Sequence, residues 1–356
     1  MGNPIRVGII GQGRSGYRNH ALILSAMKEQ YEIKAVSDPQ EAYRERAVSQ
    51  FGCEAYADYR DMLKRGDLDL IVNAAPSHLH VPLSLEALET GLHVLCEKPL
   101  ARKAEEVDRL IAAAEKAGKC LATFQQSRLA PAFQKIMDIV HSGVLGRIVH
   151  ARIAYNNFAR RWDWQTLQAN NGGSLLNTGP HPLDQALRLF DSEEMPDIFC
   201  KLDRVNTFGD ADDYVKLLLK KDGHPLIDLE ISSCDAYPQD TYHIHAEYGG
   251  ISGDYRSLKW KYYDREQASE QVLTRQPMMD ASGEPAHCKE TLVWKEESWE
   301  ISDEEKKRPL QRVFYELLYD TLVNGAPLVV TPQHIKQQIA VIEECHRQNP
   351  LPRFAE

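Results

Sequence analysis

The stretch LNTGPHPLD, residues 176–184, holds an amide, a histidine and a carboxylate among prolines and a glycine. The two prolines fix the backbone on either side of His181, while its side chain stays able to exchange a proton near neutral pH. The stretch is also explained as a helix start with Thr178 as N-cap and Pro180 in the first turn. The two interpretations are compatible, and we expect Asp184 to orient His181.

A glycine-rich turn follows the first apolar segment. Gly11, Gly13 and Gly16 in VGIIGQGRSG keep the spacing G-x-G-x-x-G between a predicted strand and a predicted helix. The first glycine permits a tight turn, the second lets a pyrophosphate approach the backbone, and the third lets helix and strand pack closely. The alternative is a plain glycine turn, but this position favours a dinucleotide site at the helix N-terminus.

The second predicted strand ends at Asp38. A carboxylate there can accept both ribose hydroxyls of the adenosine and would repel a 2'-phosphate, which favours NAD over NADP. Asp38 is also explained as a helix cap ahead of Pro39. Arg14 in the glycine turn opposes the preference for NAD, because its guanidinium could reach a phosphate.

The motif CEKPL follows the fifth strand-like run, at the sheet edge where open parallel sheets bind ligands. It places Glu97 and Lys98 directly after an apolar strand. Lys98 is either a surface group or a cation directed at a cofactor and a substrate oxygen, and spacing alone does not separate the two.

Strand-length apolar runs alternate with helical patterns over the first 125 residues, with helices expected near 17–28, 40–51 and 81–90. Such alternation predicts a doubly wound parallel sheet covered on both faces, a Rossmann-type α/β domain. From about residue 126, RIVHARIAYNNF and later alternating strands predict an α+β domain with an open, mostly antiparallel sheet. Helices are expected again at 309–323 and 332–347. We predict an NAD-binding domain at 1–125 and a substrate-binding and oligomerisation domain at 126–356.

Composition excludes several classes of protein. The 356 residues carry a net charge of -10, which disfavours nucleic acid as a partner, and the apolar runs are too short to span a membrane. Seven scattered cysteines without a CxxC pair favour a reducing, cytoplasmic location, and no signal peptide is evident. We expect no metal: His243 and His245 share a strand face, but no third ligand is evident.

Three stretches of the sequence resemble one family. GIIGQGRSG, NAAPSHLHVPLSLEALETGLHVLCEKPLA and GGSLLNTGPHPLDQALRL resemble the glucose-fructose oxidoreductase, inositol dehydrogenase and rhizopine catabolism (Gfo/Idh/MocA) family. The resemblance runs from the glycine turn to the terminal helices. It implies a two-domain NAD(P)-dependent oxidoreductase for sugars, cyclitols or related polyols, often a dimer or tetramer through the open sheet. It also implies Lys98 as an active-site residue that orients substrate and tunes proton transfer.

The sequence departs from the family at one position. The family's aspartate-x-x-x-histidine pair falls on Asn177 and His181, so an amide replaces a carboxylate. An amide can exchange hydrogen bonds with a substrate hydroxyl, but it cannot hold a proton or raise a neighbouring pKa by its charge. We therefore expect His181, with Lys98 beside it, to take the hydroxyl proton while a hydride moves to NAD.

The segment NNFARRWDWQTLQANNGG before this motif is polar, aromatic and poorly periodic. Aromatic faces pack on sugar rings and polar groups pair with hydroxyls, so it fits a carbohydrate pocket, although its tryptophans could instead fill a domain interface. The predicted substrate-binding residues are Asn177, Asp163, Trp162, Trp164, Tyr155, Asn157, Arg160 and Asp184. The predicted cofactor-binding residues are Gly11, Gly13, Arg14, Ser15, Gly16, Asp38, Pro76, His80, Glu97 and Lys98, of which His80 is also explained as a structural helix-start residue.

Three functions stay open at this stage. The first is an NAD-dependent dehydrogenase for a ring hydroxyl of a sugar, glycoside or cyclitol, with carbon 3 of a glucoside favoured. The second is a redox-assisted glycosidase or eliminase that keeps NAD tightly bound. The third is a non-catalytic regulator that senses NAD or a sugar, which the presence of both Lys98 and His181 disfavours. The predicted partners are a small carbohydrate or cyclitol and further copies of the chain in a homodimer or homotetramer.

Overall fold

The first half of the chain forms a six-stranded parallel sheet in the computed structural model, which describes residues 3–354. Residues 1–2 of the first predicted domain and residues 355–356 of the second lie outside this range. The strands are β1 (Ile5–Ile10), β2 (Tyr31–Ser37), β3 (Glu54–Tyr56), β4 (Leu70–Asn73), β5 (His93–Cys96) and β6 (Leu121–Thr123). Their order is β3-β2-β1-β4-β5-β6, so the direction of winding reverses between β1 and β4. The carboxyl ends of these two strands border the crevice where doubly wound sheets bind ligands.

The connections of this sheet are helical. They are α1 (Leu22–Ser25), α2 (Glu41–Phe51), α3 (Tyr59–Leu63), α4 (His80–Glu89) and α5 (Ala104–Ala117). The single α-helix expected near 17–28 is wrong, because Gly16–Ala21 forms a π-helical segment that continues into the short α1. The short elements β3 and α3 are absent from the sequence prediction, since three to five residues carry too little periodicity.

The second half is built on an eight-stranded mixed sheet. Its helices are α6 (Pro131–His141), α7 (Ser174–Asn177), α8 (Pro180–Phe190), α9 (Asp303–Lys307), α10 (Leu310–Asn324) and α11 (Pro332–Gln348). Its strands are β7 (Ile148–Asn156), β8 (Asp197–Asp203), β9 (Tyr214–Lys220), β10 (Leu226–Ser232), β11 (Tyr242–Ala246), β12 (Gly249–Gly253), β13 (Ser257–Tyr263) and β16 (Trp294–Glu300), with β14 (Met278–Met279) and β15 (Pro285–Ala286) as a separate hairpin. The order is β16-β13-β12-β11-β7-β10-β9-β8, and only β7 and β10 pair in parallel. The predicted fold class is confirmed.

One face of the second sheet is packed under helices and the other is open. On β10, Ile227, Leu229 and Ile231 are buried on the side of α8, while Asp228 and Glu230 alternate with them on the other side. This period of two is what an antiparallel sheet with one covered face requires. Helix α8, which begins at Pro180, lies on this covered face and also packs against residues 126–129, which follow β6.

The C-terminal helices return to the first sheet. Phe314 and Tyr315 of α10 are buried in the same apolar cluster as Phe124 and residues of β1. Helix α11 packs between α5 and β8. Among residues 3–354, no helix combines the length and the apolar character that a bilayer crossing requires.

Candidate active site

The glycine turn has the shape that a dinucleotide needs. Gly11 has a φ of +87°, and a Cβ there would lie 2.6 Å from the carbonyl oxygen of Ala74. A Cβ on Gly16 would overlap the carbonyl oxygen of Gly11, so that glycine is needed for close packing. At Gly13 no atom lies within 4 Å of a Cβ position, which leaves the backbone open to a phosphate group. The turn thus fits the cofactor that its spacing predicts.

Asp38 is buried and holds the glycine turn in place. Its Oδ2 accepts a hydrogen bond from the backbone N–H of Gln12 at 2.7 Å, and its Oδ1 accepts one from Gln40 at 2.9 Å. Each carboxylate oxygen keeps a further lone pair for a ribose hydroxyl. Arg14 is exposed in the turn, and Ser15 directly precedes the π-helical segment.

Glu97 lies at the carboxyl end of β5 in a buried hydrogen-bond chain. His20 places Nε2 3.2 Å from Glu97 Oε1 and Nδ1 2.7 Å from the hydroxyl of Tyr315. Burial acts to raise the pKa of Glu97, but the hydrogen bond and charge of His20, together with Lys98 and His80, hold that pKa at about 2. Glu97 is therefore an anion that is held by His20 of the π-helical segment, which is in turn held by Tyr315 of α10.

Lys98 joins the two halves of the molecule. Its Nζ donates a hydrogen bond to the backbone oxygen of Asn177 at 2.7 Å and lies 3.3 Å from Asn177 Oδ1. Burial lowers the pKa of Lys98, the charge of Glu97 opposes this shift, and Arg14 and Arg161 add to it. A lysine with a lowered pKa and a hydrogen bond across a crevice is typical of a reacting group.

His181 is in the first turn of α8, next to Ser127. Its Nδ1 lies 3.0 Å from Ser127 Oγ, and no partner for Nε2 is found among the described residues. Burial, together with the charge of Lys98, lowers the pKa of His181 to about 3, although the charge of Glu97 acts in the opposite direction. The expectation that His181 titrates near neutrality is therefore wrong, because the ring is sheltered from water beside a cation.

The structure also contradicts the prediction for Asp184. This carboxylate is buried and pairs with Arg128, whose Nε donates to Asp184 Oδ2 at 2.8 Å. It therefore neither orients His181 nor reaches a substrate. Ser127 occupies the place next to the ring that Asp184 was expected to take, and sequence spacing gives no signal for a contact across 54 residues.

The aromatic segment is connected to Asn177 by side-chain hydrogen bonds. Arg161 forms an ion pair with Asp163 at 2.8 Å and donates to Gln165 Oε1 at 2.6 Å. Gln165 Nε2 donates in turn to Asn177 Oδ1 at 3.2 Å. Gln165 was not among the predicted site residues, because a glutamine in a loop carries no distinguishing pattern.

The remaining predicted substrate residues divide into two groups. Trp162 (78% exposed), Trp164, Arg160 and Asn157 are exposed and so are accessible to a ligand. Tyr155 is half-buried, and its hydroxyl lies 3.4 Å from Gln185 Oε1 in α8. Tyr155 therefore supports the helix that carries His181, and its hydroxyl is directed at protein, which contradicts the expected substrate contact.

Of the remaining predicted cofactor residues, Pro76 is exposed just after β4, at the crevice. His80 is buried, with Nδ1 2.7 Å from the carbonyl oxygen of Pro99 and Nε2 2.9 Å from that of Ala75. No ring nitrogen is left for a cofactor, so His80 is a structural residue at the start of α4 and the predicted cofactor contact is wrong.

A cavity of about 900 Å³ lies on the open face of the eight-stranded sheet, apart from the candidate active site. Its walls include His243, His245, Lys261 and Trp294, and it touches neither Lys98 nor His181. Within residues 3–354, no three His, Cys, Asp or Glu side chains are grouped as metal ligands would be. The absence of a metal stays a prediction.

Two family models match the chain. The model described as "Oxidoreductase family, NAD-binding Rossmann fold" matches residues 5–125, and the "GFO/IDH/MocA C-terminal domain" model matches residues 133–252. Together they cover the glycine turn, Lys98, Asn177 and His181.

Curated relatives match over part of their length. A glycosyl hydrolase family 109 protein of Shewanella woodyi is 31% identical over 48% of this chain and 38% of its own length. Inositol 2-dehydrogenase 4 of Saccharopolyspora erythraea is 33% identical over 43% of this chain and 46% of its own length. The chain thus aligns with less than half of either relative.

Solved structures share the whole fold. An NAD-binding protein from Listeria innocua superposes with a TM-score of 0.78, 22% identity and coverage of 99% of this chain and 100% of that one. The WlbA dehydrogenase of Bordetella pertussis, solved with NADH and UDP-GlcNAcA, has a TM-score of 0.75 and 20% identity over 97% of this chain and 96% of its own.

Proposed function

The chain belongs to the GFO/IDH/MocA oxidoreductase family with an NAD-binding Rossmann domain, and on that premise we propose that it is an NAD-dependent dehydrogenase for a ring hydroxyl of a sugar, glycoside or cyclitol. We divide the chain into a cofactor domain at 1–125 and a substrate and oligomerisation domain at 126–356. The observation that carries the proposal is the contact of Lys98 with Asn177, which brings an amine from the cofactor half against the helix start that holds His181.

The proposed chemistry needs a hydride acceptor and a proton acceptor. NAD supplies the hydride acceptor when it is bound. The glycine turn and Asp38 would hold its pyrophosphate and adenosine ribose, and Glu97 and Lys98 border the end of the crevice where β5 stops. Because Asp38 would repel a 2'-phosphate, the proposed cofactor is NAD and not NADP.

Lys98 is the proposed proton acceptor. A general base works best when its pKa lies near the working pH, and burial moves the pKa of Lys98 in that direction. The low pKa of His181, about 3, makes the ring a weak base that stays neutral. His181 therefore holds the substrate oxygen with Nε2, and Ser127 fixes the ring through Nδ1. Lys98 takes the proton in those molecules in which its amine is neutral, and the ammonium form has to lose its proton first.

The proposed substrate carries a pyranose ring. Trp162 and Trp164 offer exposed aromatic faces for the C–H face of a ring, and Asp163 lies between them in the sequence. Asn177 offers an amide where it contacts Lys98. We favour a glucoside-like ring oxidised at carbon 3. The named relatives include an inositol dehydrogenase, so cyclitols belong in the same test.

A second candidate function is a redox-assisted glycosidase or eliminase, which the glycosyl hydrolase family 109 relative favours. Such an enzyme oxidises the ring transiently and returns the hydride before release. It would purify with NAD bound and form no net NADH.

The test is a panel of glucosides and inositols with NAD, followed by absorbance of the reduced nicotinamide and by chromatography of the sugar. Net NADH with an intact glycosidic bond supports the dehydrogenase. Bond cleavage without net NADH supports the second candidate. Sugar binding with neither change would indicate a regulator.

We further propose that copies of the chain associate through the open sheet face as a homodimer or homotetramer. Asp228 and Glu230 of β10 lie on that face, which no helix of residues 3–354 covers. Light scattering of the purified protein gives the assembly's mass directly.

A further inference from the structure

Four side chains form one hydrogen-bonded chain from the aromatic segment to the candidate reacting amine. Arg161 donates to Gln165 Oε1 at 2.6 Å, and Gln165 Nε2 donates to Asn177 Oδ1 at 3.2 Å. Lys98 Nζ approaches the same Oδ1 to 3.3 Å from the other side.

These hydrogen bonds fix the orientations of the side-chain amides of Gln165 and Asn177. A guanidinium has no acceptor, so the oxygen of Gln165 faces Arg161 and its nitrogen faces Asn177. A lysine ammonium also only donates, so Asn177 turns Oδ1 toward Lys98 and Gln165. Its Nδ2 is therefore directed away from both donors. Within residues 3–354 Nδ2 has no hydrogen-bond acceptor, and it is not sealed from solvent.

The carboxylates around Asn177 are already engaged. Asp163 pairs with Arg161, Glu97 accepts from His20, and Asp212 accepts from the backbone N–H of Leu175. An aspartate at position 177 would place a negative charge against Lys98, but the chain has an amide there. The partly buried Lys98 Nζ thus donates its hydrogen bonds to the backbone and side-chain oxygens of Asn177, and no carboxylate is in contact with its side chain.

We propose that Asn177, oriented by Gln165, is a specificity-determining donor, and that the substrate is an acidic sugar whose carboxylate accepts from Asn177 Nδ2 near Lys98. This inference rests on the proposed dehydrogenase and names its substrate class. When Lys98 is an ammonium, it forms with Arg14 and Arg161 a group of three cations, and Glu97 and Asp163 supply two negative charges. One further negative charge balances this group, so a carboxylate fits better than a phosphate dianion. Gln165 acts as a positioning residue, since it reaches the substrate only through Asn177.

The test compares substrates that differ at one group. Methyl glucoside, methyl glucuronoside and methyl glucoside 6-phosphate carry a hydroxymethyl group, a carboxylate and a phosphate on the same ring. We expect the wild type to have a kcat/KM for the glucuronoside about 10- to 100-fold above that for the glucoside, which is the range for one charge-assisted hydrogen bond. A preference for the glucoside or for the phosphate overturns the proposal.

Two variants test the residues. Asn177→Asp replaces the donor by a like charge, so we expect it to reverse the glucuronoside preference. Gln165→Leu leaves the amide of Asn177 free to rotate. The ratio of kcat/KM for the glucuronoside to that for the glucoside should therefore fall toward one, while the kcat for the glucoside should change less than this ratio does. Gln267→Leu, at an exposed glutamine that contacts Asp264, is the matched control and should keep the wild-type ratio. A wild-type ratio in Asn177→Asp overturns the proposal, because a ratio of two substrates cancels any loss of folded protein.

Binding separates this inference from the proposed function. Calorimetric titration of the NAD-loaded protein with the glucuronoside and the glucoside measures the preference without turnover. Preferred binding of the glucuronoside with no NADH formed would keep the inference and reject the dehydrogenase. NADH formation with the glucoside preferred would keep the dehydrogenase and reject the inference.

Discussion

Arg128 forms an ion pair with Asp184 of α8, the helix that carries His181, and the two side chains are only 6% and 2% exposed. Arg128 also donates to the carbonyl oxygen of Val329 at 2.7 Å, so the pair connects α8 to the chain just before α11. We expect Asp184→Ala to lower the free energy of unfolding by about 3–5 kcal/mol, because it leaves a buried guanidinium without its partner. Urea denaturation followed by circular dichroism measures this difference.

The paired substitution Arg128→Met with Asp184→Leu is the control for that loss. It removes both charges together, so it should be less destabilising than Asp184→Ala alone. If Asp184→Ala unfolds at the wild-type urea concentration, the ion pair does not stabilise the fold as described.

The pH dependence of turnover reports on Lys98. If its neutral form takes the proton, kcat/KM rises with pH until it passes the pKa of Lys98, which burial places below its ordinary value. Asn177→Asp adds a carboxylate beside the ammonium and raises that pKa, so the rising limb should move to higher pH by about 1 unit or more. His181, with a pKa of about 3, should add no limb near neutrality. A limb near neutrality that His181→Asn abolishes would show that the histidine is the base.

The choice of cofactor tests Asp38. Its carboxylate is held by the backbone amides of Gln12 and Gln40, so it cannot turn away from a 2'-phosphate. We expect kcat/KM with NAD to exceed that with NADP by at least about tenfold, because opposing like charges cost several kcal/mol. Steady-state kinetics with each cofactor at fixed sugar concentration gives the ratio. Equal values would indicate that Arg14 dominates the recognition of the adenosine end.

Tyr315 tests the link between α10 and the site. Its hydroxyl is fully buried and lies 2.7 Å from His20 Nδ1. Tyr315→Phe leaves that nitrogen without a partner, so we expect a loss of about 1–3 kcal/mol of unfolding free energy. Thermal unfolding of the variant beside Tyr319→Phe provides the comparison. An unchanged midpoint for Tyr315→Phe would mean that the His20 contact contributes nothing.

The sequence predicts the parts of the fold that local patterns determine. Alternating apolar runs predict the parallel sheet, and the glycine spacing predicts a turn in which Gly11 and Gly16 are required and Gly13 is open. Lys98 and Asn177, which lie in recognisable motifs at element boundaries, are in contact, and the charge of Lys98 acts on His181.

The rest of the site depends on contacts between distant residues. Ser127 is the hydrogen-bond neighbour of His181, and Arg128 pairs with Asp184; each lies more than 50 residues from its partner. The low pKa of His181 arises from its burial beside Lys98, and the local sequence around His181 does not predict either of these. Gln165 acquires its role only from the folded position of Arg161 and Asn177.

The central claim is that Lys98 takes a proton from a sugar hydroxyl while NAD takes the hydride. Single-turnover formation of NADH by Lys98→Met, with NAD binding measured in parallel, tests it most directly, and Lys103→Met on the exposed start of α5 serves as the control. We predict that Lys98→Met binds NAD as the wild type does and forms NADH about 10²- to 10⁴-fold more slowly, while Lys103→Met matches the wild type. An unchanged rate for Lys98→Met would contradict the account.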